Sequence, residues 1–116
     1  MALRLTFFYK LLSTMKITIK EKEYTLKYTI RAMFLFEQIK GSMFQIASLT
    51  DEFIFFYSMI LASDPSTDLS FDDFIDEVDS KPELMKKYKE FMEKEMKKQN
   101  QFMLEEDNKD DDKKKE

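Results

Sequence analysis

The chain has 116 residues, 43% of them hydrophobic and 36% charged, with a formal net charge of -4. That length fits one domain with one modest core. It has no His, no Cys and a single glycine, Gly41, which removes the commonest general base, the thiol nucleophile, Cys/His zinc sites, disulfides and the glycine-rich loops that cradle phosphate.

These exclusions point to a protein without chemistry of its own. No catalytic residue, cofactor site or metal ligand is expected. Lys is interleaved with Glu and Asp rather than gathered on one face, which argues against nucleic acid as the partner. No run approaches the roughly 18 apolar residues of a membrane span. The apolar start is broken by Arg4 and Lys10 and has no small-residue cleavage site, so no signal peptide is expected. The default location is cytosolic.

Residues Met1 to Thr14 show no clean period and no caps. They read either as an upstream extension, with Met15 as the natural start, or as an extra strand or short helix. From Lys16 the pattern sharpens. Lys16-Ile17-Thr18-Ile19-Lys20 and Glu23-Tyr24-Thr25-Leu26-Lys27-Tyr28 each alternate polar and apolar residues. Period two with β-branched and aromatic residues predicts two strands joined as a hairpin across Glu21-Lys22. A lone hairpin is marginal in water, so Ile17, Ile19, Tyr24, Leu26 and Tyr28 must pack on helices.

Thr29 is a capping residue for a helix over Ile30 to Lys40, and Gly41 is a natural left-handed stop. Ile30, Met33, Phe34 and Glu37 form one stripe; Ala32, Leu35, Phe36 and Ile39 cover another side. Such wide apolar coverage predicts a central helix. Met43 to Ala47 reads as a turn or a helical continuation. Thr50 is the expected cap of a third segment, with Asp51 and Glu52 in its first turn, where the helix dipole favours acids. Phe53 to Ala62 is apolar nearly all round and stops at Asp64-Pro65. It reads as a core helix, with a partner groove as the lesser alternative.

Ser70 caps a helix whose Phe71, Phe74, Ile75 and Val78 share one face. Ser80-Lys81-Pro82-Glu83 combines a Ser cap, an early proline and an early acid, a strong start signal. The last helix is expected to run to about Phe102, with Leu84, Met85, Tyr88, Phe91, Met92, Met96, Phe102 and Met103 at three- and four-residue spacing. Residues 105–116 hold no apolar side chain and are expected to be disordered. The predicted fold class is therefore α+β. It is a mainly α-helical single domain over residues 15–104, with an N-terminal β-hairpin and a long amphipathic C-terminal helix.

Two candidate sites compete. The acidic cluster Asp72, Asp73, Asp76, Glu77 and Asp79 offers carboxylates for a divalent cation. A calcium loop from Asp64 through Asp68 and Asp72 fails, however, because Leu69 replaces its glycine and Ile75 its bidentate Glu. The cluster reads best as a solvated helix start. The better candidate is a protein-binding stripe on the last helix: Tyr88, Phe91, Met92, Met96, Phe102 and Met103. Methionine adapts to irregular partner surfaces, and the part from Met96 onward outreaches a compact domain of this size. That part either frays or packs on another chain.

The order of features has a counterpart. A strand pair Lys16-Ile17-Thr18-Ile19 and Glu23-Tyr24-Thr25-Leu26-Lys27-Tyr28 leads into Thr29-Ile30-Arg31-Ala32-Met33-Phe34-Leu35-Phe36-Glu37. Next come Leu49-Thr50-Asp51, an aromatic helix, Ala62-Ser63-Asp64-Pro65, Leu69-Ser70-Phe71-Asp72-Asp73-Phe74-Ile75 and a charged last helix. Over about Met15 to Phe102 this resembles the tail assembly chaperones of long-tailed bacteriophages and prophages. It departs from them at Glu21 or Lys22, where many members have glycine.

The resemblance implies a non-catalytic chaperone in the bacterial host cytoplasm. It would bind the hydrophobic helices of the tape measure protein and recruit tail tube protein subunits. It leaves self-association open and implies no nucleic acid, membrane or cofactor. Many such chaperones are made in two lengths by frameshifting, and Lys113-Lys114-Lys115 marks a place where that could occur. Three rivals remain at this level: a structural or accessory phage protein, a small protein-binding regulator, and a metal-dependent enzyme using the acidic cluster.

Overall fold

A computed structural model describes the backbone of residues 14–115 and the side chains of residues 14–98. The two readings of the first segment, upstream extension or extra element, fall almost wholly outside these residues; only Thr14 is included. Among the described residues, an antiparallel hairpin is followed by four helices.

Strands β1 (Thr14–Ile19) and β2 (Lys22–Lys27) pair with Ile17 opposite Tyr24 and Met15 opposite Leu26. The period-two pattern sends Met15, Ile17, Ile19, Tyr24 and Leu26 inward, all buried. The turn lies one residue earlier than Glu21-Lys22. Lys20 (φ 52°) and Glu21 (φ 66°) both take left-handed backbone, as a two-residue type I′ connection requires. That hand matches the twist of the strands, and the inward set fixes the register. The tight turn therefore forms without the usual Asn or Gly.

Helix α1 (Ile30–Lys40) starts at Thr29, whose hydroxyl accepts from Ala32 N at 3.1 Å. It ends at Gly41 (φ 79°), whose N–H donates to Glu37 O. Residues 43–47 form an irregular loop rather than a helical continuation. Helix α2 (Leu49–Ser63) is capped by Ser48, not Thr50. The Ser48 hydroxyl accepts from Asp51 N, and the Asp51 carboxylate accepts from Ser48 N. This reciprocal box satisfies two helix-end donors at once, which a cap at Thr50 would leave unmade.

The central element is α2, not α1. It packs against α1, β2 and helix α3 (Phe71–Ser80), and buries Ile54, Phe55, Phe56, Met59 and Ile60. Two aromatic groups meet across it. On one side Phe55 lies against Tyr28, Phe36 and Phe44; on the other Phe56 lies against Phe74 and Tyr88. Such edge and offset contacts add roughly 0.5–1.5 kcal/mol per pair beyond simple burial.

Helix α3 buries Phe74 and Val78 and half-buries Phe71 and Ile75, the face the spacing predicts. Ser80 is its last residue and does not cap the next helix; its hydroxyl donates to Glu77 O. Only Lys81 separates α3 from helix α4 (Pro82–Lys115). Proline at the first helical position loses no hydrogen bond there. Beyond it, α4 meets no further Pro or Gly, and it passes both the expected stop near Phe102 and the segment from 105 expected to be disordered. Its early turns pack on α3 and β1.

Candidate protein-binding surfaces

The sequence places its interaction stripe on the last helix, and the structure divides that stripe. Tyr88, Phe91 and Met92 are core residues at 0%, 5% and 8% exposure. They cannot form a free surface, because α2, α3 and β1 already cover that face. Tyr88 stacks on Phe56 with ring centroids 4.9 Å apart and planes 8° from parallel. Met96 is the first stripe residue to emerge, at 39% exposure. Phe102 and Met103 lie further along α4, outside the described side chains.

The exposed apolar side chains gather elsewhere. Ile30 is 66% exposed, Phe34 58%, Ile39 43%, Met43 81% and Leu49 65%. All five belong to α1, the loop after it or the first residue of α2. Ile30 and Phe34 stand four apart and so share one helix face. Ala32 and Phe36, also four apart, form the buried face against α2. The wide apolar coverage of this segment predicts a central helix, yet the stripe with Ile30 and Phe34 faces out. The signal against burial was Glu37, which shares that stripe and would have been costly to bury unpaired.

This surface is built on a fixed frame. Asp51 is 1% exposed and ties three elements together. One carboxylate oxygen takes a hydrogen bond from the Lys40 ammonium at the end of α1. The other accepts from Ala47 N at 2.9 Å and Ser48 N at 3.2 Å. The Lys40 contact, then the Ala47 N–H, hold Asp51 below the usual carboxylate range. Glu37 accepts from Phe44 N at 2.7 Å, so the loop is pinned at both ends.

A second feature lies on the other side of that loop. Ile46 faces Met92 and Met96 across an open groove of about 600 Å³. Lys89, Glu93 and Lys97 line it from α4, and Glu52 from α2. Beside Glu52, the Tyr88 hydroxyl is buried and has no hydrogen-bond partner. Burial, and then the Glu52 charge, push the phenol well above its ordinary range, although the two groups do not meet within hydrogen-bonding geometry.

The acidic residues of α3 are spread out rather than convergent. Asp73 pairs with Lys20 at 3.2 Å and Glu77 with Lys81 at 3.4 Å. Among the described residues, no group of three or more His, Cys, Asp or Glu side chains is arranged to hold a metal ion. Among the same described residues, no helix is long and apolar enough to cross a membrane.

No family model, curated protein or solved structure matches this chain. Any functional reading therefore stands on the sequence pattern and on these surfaces. What the surfaces offer is apolar contact area held on a rigid frame. Such area suits recognition of another apolar surface.

Proposed function

We propose that this chain is a non-catalytic assembly chaperone of the phage tail type. It binds apolar helical segments of a tape measure protein and recruits tail tube subunits to it. The sequence pattern supports the class. The observation that carries the binding role is the exposed pair Ile30 and Phe34 on one face of α1, with Ile39, Met43 and Leu49 also exposed on that helix, the loop after it and the start of α2. An amphipathic client helix laid across such a face buries its own apolar side chains. The client then stays dispersed until assembly.

The test is co-expression with a long helical tape measure protein from the same genome. The expected result is a soluble complex that survives purification. Ile30→Asp with Phe34→Asp should abolish recovery of the client while leaving the melting of the chaperone itself nearly unchanged, since both positions are mostly solvent-exposed. A client equally soluble without the chain would overturn the role. A complex retained by the double variant would move the binding face away from α1.

A further inference from the structure

We infer that the α4 groove is the contact between two copies of this chain, with the two α4 helices packed antiparallel about a two-fold axis. Three observations carry this. The first is where the core ends. Met92 is the last buried residue of α4 among the described side chains, yet the helix continues to Lys115. At 1.5 Å per residue, its 34 residues span about 51 Å. Roughly two-thirds of that length lies past the last core contact.

The second observation is apolar continuity. Met96 prolongs the buried row of Met92 out of the body, and Ile46 lies across the groove from both. In the same helix, Phe102 and Met103 follow Met96 by six and seven positions. By spacing, the row is interrupted at Gln99 and Asn100 and resumes at Met103, and an apolar row that begins inside one core and resumes beyond it can be closed by the same row of a second copy.

The third observation is charge. Lys89, Glu93 and Lys97 succeed one another at four-residue steps along the groove and alternate in sign. None of the three forms an ion pair among the described residues. Antiparallel pairing reverses the order in the second copy. With the axis between positions 93 and 97, each Glu93 faces the other copy's Lys97. Lys89 then falls opposite Gln101, so the self-complementary part under two-fold rotation is the Glu93–Lys97 pair, made twice as an isologous interface requires.

Sedimentation equilibrium of the full chain over a wide concentration range tests this. The expected wild-type result is a monomer–dimer equilibrium. Met96→Glu should weaken the dimer by about a hundredfold or more, because symmetry applies each change twice. Glu93→Lys alone and Lys97→Glu alone should each weaken it, and the double exchange should restore it by recreating the pairs in reverse. Thermal melting at low concentration identifies any variant that fails to fold, and the charge exchanges at these exposed positions provide the reading if Met96→Glu does. A wild-type chain that stays monomeric throughout overturns the proposal and leaves the groove to a different protein. A dimer indifferent to both single charge exchanges overturns the arrangement. Neither result bears on the α1 face, whose test is client recovery.

Discussion

Helix α1 and the first turns of α4 carry similar apolar patterns and have opposite fates. In α1, Ile30 and Phe34 face solvent. In α4, Leu84, Tyr88, Phe91 and Met92 are buried. The difference lies in cover, not in composition. The early turns of α4 are enclosed by α3 and β1, and Tyr88 reaches Phe56 of α2. Helix α1 packs mainly on α2 and so has one covered face. A hydrophobic period states which side of a helix is apolar; the number of neighbours decides whether that side becomes core or surface.

Truncating matched aromatics breaks this comparison most directly. Phe74→Ala or Tyr88→Ala should cost about 3–5 kcal/mol, the range for losing a buried aromatic and leaving a cavity. Phe34→Ala should stay within about 0.5 kcal/mol, as a surface change does. Denaturant titration with a shared slope measures all three. Equal losses at Phe34 and Phe74 would mean that the α1 face is covered in solution.

The same contrast explains what could be read from the sequence. The hairpin, the Thr29 and Ser70 caps, the Gly41 stop and the core face of α3 follow from local rules, since period, caps and turn residues act within a few positions. The core character of Phe53 to Leu61 follows from its apolar content. The central place of α2 does not, because it depends on long-range packing. Nor could local rules choose Ser48 over Thr50. Both are capping types, and the choice is settled by Asp51, which reaches back to Ala47 and across to Lys40. The stripe on α4 was visible, and so was its exit from the domain at Met96, since a body of this size cannot cover so long a helix; what spacing did not show is that Tyr88, Phe91 and Met92 are core rather than binding surface.

Asp51 sharpens the comparison, because it joins the end of α1 to the start of α2. Its folded pKa lies below the ordinary value of 3.8. Its contribution is therefore fully present above that value and is lost as pH falls through the lower folded pKa. The thermal midpoint of the wild type should drop in that acidic window. Asp51→Asn should be less stable at neutral pH and should decline less steeply on acidification. Some slope should remain, since Asp64, lowered first by Lys22 and then by Ser66, titrates in the same sense. A variant as acid-sensitive as the wild type would remove Asp51 from this role. Melting curves by circular dichroism, from neutral to strongly acidic buffer, read the effect.

The smallest effect tests the buried side of the comparison at a single atom. The Tyr88 ring is fully packed, stacked on Phe56 and closed from solvent. Its hydroxyl shares that burial without a hydrogen bond. Leaving such a group unsatisfied costs about 1–3 kcal/mol, whereas a matched apolar replacement can be neutral or better. Tyr88→Phe keeps the stack and removes the unpaired oxygen. The expected outcome is unchanged stability or a gain of up to about 1 kcal/mol, against the large loss for Tyr88→Ala. The Glu52 carboxylate stands near enough to raise the phenol pKa, and removing the hydroxyl takes away whatever attraction it supplies. A loss of more than about 1 kcal/mol in Tyr88→Phe would show that the hydroxyl does find a partner in solution, in the range of a hydrogen bond to a charged group. Glu52 is the group placed to accept it, and Glu52→Gln in the Tyr88→Phe background would then add little further loss. If the hydroxyl is unpaired, Glu52→Gln should have the same small effect in both backgrounds.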